Sequence, residues 1–277
     1  MADLDIRRRR GASALSAMLL FGIVAFAAAG PASAEDDRDR YQAVAIVTGT
    51  DMRSRPSGFA QCLRAVLVNV SGEPRLLEDP RTMELARHAD TFVASFGYVD
   101  VMAGIPVHDD QGTYDRPHYL TVHFDKARIE AALAELGERP WRGDRPLVVP
   151  VLSMRGFGKP YLLSAELPAA SDQRASFADR ADEFGLTSRI PTEAELAAWG
   201  AVAGTLPTPP DAADPDEARV AGTLEFQESL PGWVGSWRLR WRGADYAWRI
   251  SGVNYDEAFR DIVRGVLRVA SGHGSPD

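Results

Sequence analysis

The clearest hydrophobic periodicity in the chain is the series Phe59, Cys62, Leu63, Val66, Leu67 and Val70, spaced by three and four. That spacing lines one side of a helix, and Ser71-Gly72 supplies its stop. Ahead of it, Tyr41 to Thr48 carries the apolar stretch Ala43-Val44-Ala45-Ile46-Val47 into Gly49-Thr50-Asp51, the pattern of a strand. A second helix is predicted from Asp79 as N-cap with Pro80 in its first turn, burying Ala86, Ala89, Phe92, Val93 and Phe96. After a connection rich in Gly and Asp, Tyr119 to Phe124 alternates with Leu120, Val122 and Phe124 on one face. Asp125 then caps a short helix with Ile129, Ala132, Leu133 and Leu136 inward, ended by Gly137. The run Pro146 to Leu152 is apolar on both faces, as in a strand covered by helices on both sides of its sheet. Pro150 lacks a ladder donor and places that point near an edge or a bulge.

Together these elements read β-α-α-β-α-β, an α/β (α+β) layer arrangement. Further helices are predicted over Ser171 to Phe184 and Thr192 to Trp199, the latter opened by Thr192 with Glu195 three residues on, a capping box. From Gly204 to Ala218 the chain is mostly Pro, Asp, Ala and Thr with little to bury, so it reads as a linker or long surface loop. Beyond it, strands are expected at Gly222 to Gln227, Ser236 to Arg242 and Tyr246 to Ser251, with a tight turn at Gly243 and a final helix opening at Asn254. Trp237, Leu239 and Trp241 share one face of the hairpin, and Arg238, Arg240 and Arg242 take the other. The expected organisation is an α/β domain over 35–203, a connection over 204–218 and a β-β-β-α unit over 219–277.

The first 34 residues have a different pattern. Arg7 to Arg10 precede an apolar run from Ala12 to Ala29, and Ala32-Ser33-Ala34 stands just before an acidic, polar stretch. Charged, apolar and small-residue segments in that order are what a secretory signal peptide requires. The alternative is an uncleaved membrane anchor, since the run is about long enough to span a bilayer. Gly30-Pro31 and the small residues at 32 and 34 favour cleavage, and a periplasmic location is expected.

Net charge narrows the partners. The formal charge is −8, and the 34-residue leader carries four Arg against Asp3 and Asp5, so the rest of the chain is at −10. Nucleic acid and anionic bilayers reward clustered Lys and Arg, so neither is expected as a partner; any membrane association would come through the export signal. Cys62 is the only cysteine, which excludes an internal disulfide, and its place on the buried stripe of a helix makes it a small hydrophobe.

Candidate chemistry is sparse. The densest set of potential ligands runs from His108 to Asp125 and holds His108, Asp109, Asp110, Asp115, His118, His123 and Asp125. Imidazole and carboxylate groups suit zinc or calcium, and His108, Asp109, Asp115 and His118 are the candidates for a metal-assisted hydrolase. Their spacing matches neither a helical histidine pair nor a calcium loop; His108, Asp109, Asp110 and Gly112 read as a polar turn, Asp125 as a helix cap and His123 as a mid-strand residue. No Gly-x-Ser-x-Gly elbow is present, and Gly156-Phe157-Gly158-Lys159 lacks the first glycine and the Ser or Thr of a phosphate loop. Trp233, Trp237, Trp241 and Trp248 could stack on sugars, with Trp233 the ligand candidate, or form an aromatic core under the last helix. Four Arg-Pro pairs, at 55–56, 116–117, 139–140 and 145–146, read as structural.

Ile46-Val47-Thr48-Gly49-Thr50-Asp51, Leu63 to Gly72, Ala103 to Asp109 and Tyr255-Asp256-Glu257-Ala258-Phe259-Arg260 resemble a bacterial exported family known as domain of unknown function 2066. That resemblance implies an envelope protein and brings no activity, cofactor or catalytic residue. The expectation is a non-catalytic accessory, scaffold or binding protein that takes a protein or envelope component as partner and needs no cofactor.

Overall fold

A computed structural model describes residues 40–104, 116–212, 214–229 and 231–276. Helices and strands both contribute substantially, and the described strands form two sheets. The first sheet is antiparallel, with β1 (Gln42–Thr48) and β2 (Val93–Asp100) flanking β3 (Pro117–Phe124). Its inner face, with Ala45, Val47, Leu120 and Val122, lies under α1 (Arg55–Ser71), whose buried stripe is the predicted one. Gly72 ends α1 in the left-handed conformation, its N–H donating to the Val68 carbonyl.

The second predicted helix is shorter than expected. α2 (Pro80–Ala86), capped by Asp79, stops at Ala86; a 3₁₀ turn follows at Ala89–Phe92, and Val93 to Asp100 forms β2. Thr91 to Tyr98 is rich in β-branched and aromatic residues, and pairing with β3 takes up their backbone groups. The element order therefore gains a strand. α3 (Lys126–Leu136) has the predicted cap and stop, with the Asp125 carboxylate accepting from the Arg128 N–H at 3.0 Å.

The second sheet is mixed, in the order β5-β4-β7-β8-β9: β4 (Leu147–Arg155), β5 (Tyr161–Leu162), β7 (Glu217–Gln227), β8 (Gly232–Trp241) and β9 (Ala244–Val253). The two-residue β6 (Thr187–Ser188) also pairs with β4. Pro150 fits a local gap. The carbonyls of Val148 and Leu152 accept from the Arg189 and Leu163 amides, so β4's even positions face β6 and β5, and Pro150 falls between those short strands.

The expected boundary at 204–218 does not separate two sheets. β4 and β7 run parallel in register from Leu147↔Glu217 to Arg155↔Glu225, so the β-β-β-α unit continues the sheet begun before the connection, and β7 itself starts at Glu217. A parallel neighbour requires a long crossover. α4 (Ser171–Glu183), α5 (Glu193–Ala198) and the 204–216 stretch provide it, with the predicted capping box of Thr192 and Glu195 opening α5.

β8 and β9 meet across Trp241↔Ala244, leaving a two-residue turn in which Arg242 and Gly243 have φ of 48° and 83°. Two successive positive φ values make a turn whose twist suits a hairpin. α6 (Tyr255–Ala270) covers this sheet. A Cβ on Gly265 would lie 2.4 Å from Trp248 Cζ2, and one on Gly235 2.1 Å from Trp237 Cζ2, so these glycines let the indoles lie flat against the backbone.

Candidate functional site

Of the predicted metal set His108, Asp109, Asp115 and His118, only His118 is among the described residues. His108, Asp109, Asp110 and Asp115 lie outside them, and His118 sits on β3, its Nδ1–H donating to the Arg116 carbonyl at 2.8 Å. Its cross-strand neighbour Asp100 pairs with Arg116 at 2.9 Å, and the Met102 backbone N–H, followed by Arg116, holds that carboxyl below the usual range. His123 is exposed on the outer sheet face, and Asp125 is the cap of α3.

Three of the four tryptophans at issue are core. Trp237, Trp241 and Trp248 are buried, and the indole N–H groups of Trp237 and Trp248 both donate to Asp261 Oδ2 of α6, at 2.9 and 3.1 Å. Burial pushes the Asp261 carboxyl up to about 6 despite those two donors. Trp233 is half-buried with its ring edge-on to Phe226 (5.8 Å) and Tyr255 (6.5 Å). The exposed ring of this cluster is Phe157, tilted against Phe226 at 4.8 Å, which sequence reasoning passed over.

A second group of potential ligands comes from three distant parts of the chain. Donor atoms of Glu73, Glu138 and His273 lie within 4.8 Å of one another. Ser271 Oγ donates to the Gly72 carbonyl at 2.8 Å, so His273 Nδ1–H donates to Ser271 Oγ and Nε2 faces Glu138 Oε2 at 2.9 Å. Glu73 already accepts from the Arg75 backbone N–H and from the buried Arg268 guanidinium. A metal there would sit beside the positive charge of that guanidinium. The set instead clasps the ends of α1, α3 and α6. Arg145 makes a similar clasp, donating to the carbonyls of Asn69 and Phe184 at the ends of α1 and α4. Arg55 and Arg116 likewise donate to backbone carbonyls, so three of the Arg-Pro arginines do so.

Among the described residues, a groove of about 840 Å³ with room for a ligand lies where the first sheet meets α4 and α6. One bank is β1, through Gln42, Ala43, Val44 and Ile46, with Gln61, Arg64 and Asn69 of α1 beside it. The other is the end of α4, through Arg180 and Glu183, with Arg260 and Arg264 of α6. Glu183 pairs with Arg180 at 3.0 Å and Arg260 at 3.2 Å, while Glu257 pairs with Arg264 at 3.1 Å and also with Arg260. Arg64 has neither an ion pair nor a hydrogen bond among the described residues. Among the described residues, Asn69 Oδ1, Arg180 Nε and Arg264 Nε are buried without a hydrogen-bond partner, and all three residues line this groove. Such groups are costly unless something polar meets them.

The sequence held weak signals for this site. Arg260 and Arg264 stand four apart, a helical spacing, but nothing local links them to β1, more than 200 positions earlier.

Residues 34–142 match a family model described as a domain of unknown function (DUF8605). This is a different family from the domain of unknown function 2066 that the quoted segments resemble. The matched stretch contributes the β1 and α1 side of the groove and stops before α4 and α6. No curated protein and no solved structure matches the chain.

Proposed function

We propose that this is an exported envelope protein of the periplasm that works by holding another polypeptide in the groove beside β1, with no chemistry of its own. The leader pattern over residues 1–34 supports export, as does the segment likeness to the domain of unknown function 2066. No helix among the described residues is long and apolar enough to cross a membrane.

The observation that carries the binding reading is Arg64, outside every ion pair and hydrogen bond among the described residues, on a groove whose lining also holds Asn69, Arg180 and Arg264. A volume of about 840 Å³ is within the ordinary range for ligand sites. Its lining holds arginines, carboxylates and three amides, with neither histidine nor cysteine. A photo-crosslinking residue at Gln61, on the α1 bank, tests this in envelope preparations. The expected result is a discrete cross-linked species that the same residue at Gln227, on β7, does not give. No groove-dependent product from Gln61 would reject the reading.

A further inference from the structure

We infer that the occupant of this groove is an extended acidic segment of a partner protein, added as a fourth strand to the edge of β1 that no described residue pairs with; this rests on the binding reading above. Hydrogen bonding within the first sheet determines which groups of β1 are free. Phe124 N–H donates to the Tyr41 carbonyl and Gly49 N–H to the Arg116 carbonyl, bracketing the continuous register Gln42↔His123 to Thr48↔Pro117. Ala43, Ala45 and Val47 therefore bond to β3, while Gln42, Val44, Ile46 and Thr48 direct their N–H and C=O groups away from the sheet. β1 is the outer strand, and Gln42, Val44 and Ile46 line the groove.

β1 also lacks the features that usually protect an edge. Gln42-Ala43-Val44-Ala45-Ile46-Val47-Thr48 has no charge, proline, glycine or bulge. β2, the opposite edge of the same sheet, has a register shift at Val93/Ser95, Gly97 in its centre and Asp100 at its end. The two edges are built differently, and β1 is the one beside a polar groove.

Pleating sets the chemistry of the partner. Residues of an added strand that share the face of Ala45 and Val47 turn toward α1, where Arg64 is unpaired among the described residues, and face Arg180 and Arg264 on the opposite bank. Residues on the other face extend the exposed surface of Val44, Ile46, Tyr119 and Val99. An alternation of carboxylate and apolar side chains fits both demands. Arg64, Arg180, Arg260 and Arg264 share the groove with Glu78, Asp182 and Glu183, which leaves its lining at +1 on a chain of net charge −8, and Arg64, outside every ion pair among the described residues, favours an acidic partner over a second copy of the neutral β1 edge.

The test uses the full chain and a fluorescein-labelled heptapeptide of alternating valine and glutamate, with valine-lysine and scrambled peptides as controls. Saturable binding is expected for the acidic peptide, at least tenfold weaker for the lysine peptide. Amide exchange should slow at Val44 and Ile46 and stay unchanged at Ala45 and Val47. Ile46→Pro removes one outward N–H while leaving the bonds to β3, and Arg64→Glu reverses the unpaired charge. Each is expected to weaken binding about tenfold with the circular dichroism spectrum and melting temperature preserved. Equal binding of the lysine peptide, or no slowing at Val44 and Ile46, would overturn the inference. So would a concentration-dependent dimer abolished by Ile46→Pro, which would assign the edge to a second copy. A Gln61 cross-linked partner that survives both variants would refute strand addition yet leave the binding reading standing.

Discussion

Asp261 shows how one residue can tie aromatic packing to pH. Its carboxylate accepts both indole N–H groups from a partly buried position on α6, and burial raises its pKa from 3.8 to about 6. The folded state thus holds a proton more tightly than the unfolded chain, and Asp261's contribution to stability falls as pH rises from about 4 to 6. Asp261→Asn keeps an acceptor and removes the charge. Its stability relative to the parent should rise by about 2 kcal/mol at most between pH 4.5 and 7.5, measured by urea unfolding at both pH values; a pH-independent difference would show that the carboxyl is not perturbed. Cys62 gives a simpler residue-scale prediction. Burial pushes its thiol up to about 12, so iodoacetamide at pH 8 should label it only after denaturation. Rapid labelling of the native protein would contradict its placement in the α1 stripe.

At the scale of elements, local propensity and packing disagree at Gly265. In an exposed helix, Gly to Ala gains about 1 kcal/mol. Here the added methyl would lie 2.4 Å from Trp248 Cζ2 and 2.6 Å from Cε2, and that ring is itself held through its N–H by Asp261. Overpacking of this kind costs about 1–3 kcal/mol, so Gly265→Ala should destabilise despite its better propensity, with loss of near-ultraviolet dichroism reporting the displaced indole. An increased melting temperature would mean that Trp248 can move aside. The caps at Asp79, Asp125, Thr192 and Asn254 were all legible because each is a short-range pattern of side chain and backbone. β2 was not. Ala86, Ala89, Phe92, Val93 and Phe96 satisfy a helical spacing, and only the hydrogen bonds offered by β3 make Val93 to Asp100 extended.

For the whole molecule, the decisive contact is the parallel pairing of β4 with β7, which joins segments on either side of a connection low in apolar residues. Residues 219–277 expressed alone would lose the β4 partner and the α4 cover over α6, where Phe177 meets Phe259 at 5.4 Å. That fragment should give no cooperative thermal transition, whereas mixing it with a 1–218 fragment should restore one. A cooperative melt of the fragment by itself would make it an independent domain. The clasps of Arg268 on Glu73 and Arg145 on Asn69 and Phe184 work at the same scale, holding helix ends from distant parts of the chain together.

Features that depend on neighbours within a few positions are legible in the linear chain: the α1 stripe, the Gly72 and Gly137 stops, four helix caps, the Leu120-Val122-Phe124 face and the tight turn at Gly243. Tertiary structure alone decided which strands share a sheet, where Pro150 finds its gap, and that Arg64 and Asn69 stand across a groove from Arg180 and Arg264. The division has a physical cause. Caps and amphipathic faces are energies of adjacent residues, whereas strand order and groove walls follow from which remote surfaces bury one another, and a linear pattern of apolar positions does not encode that choice.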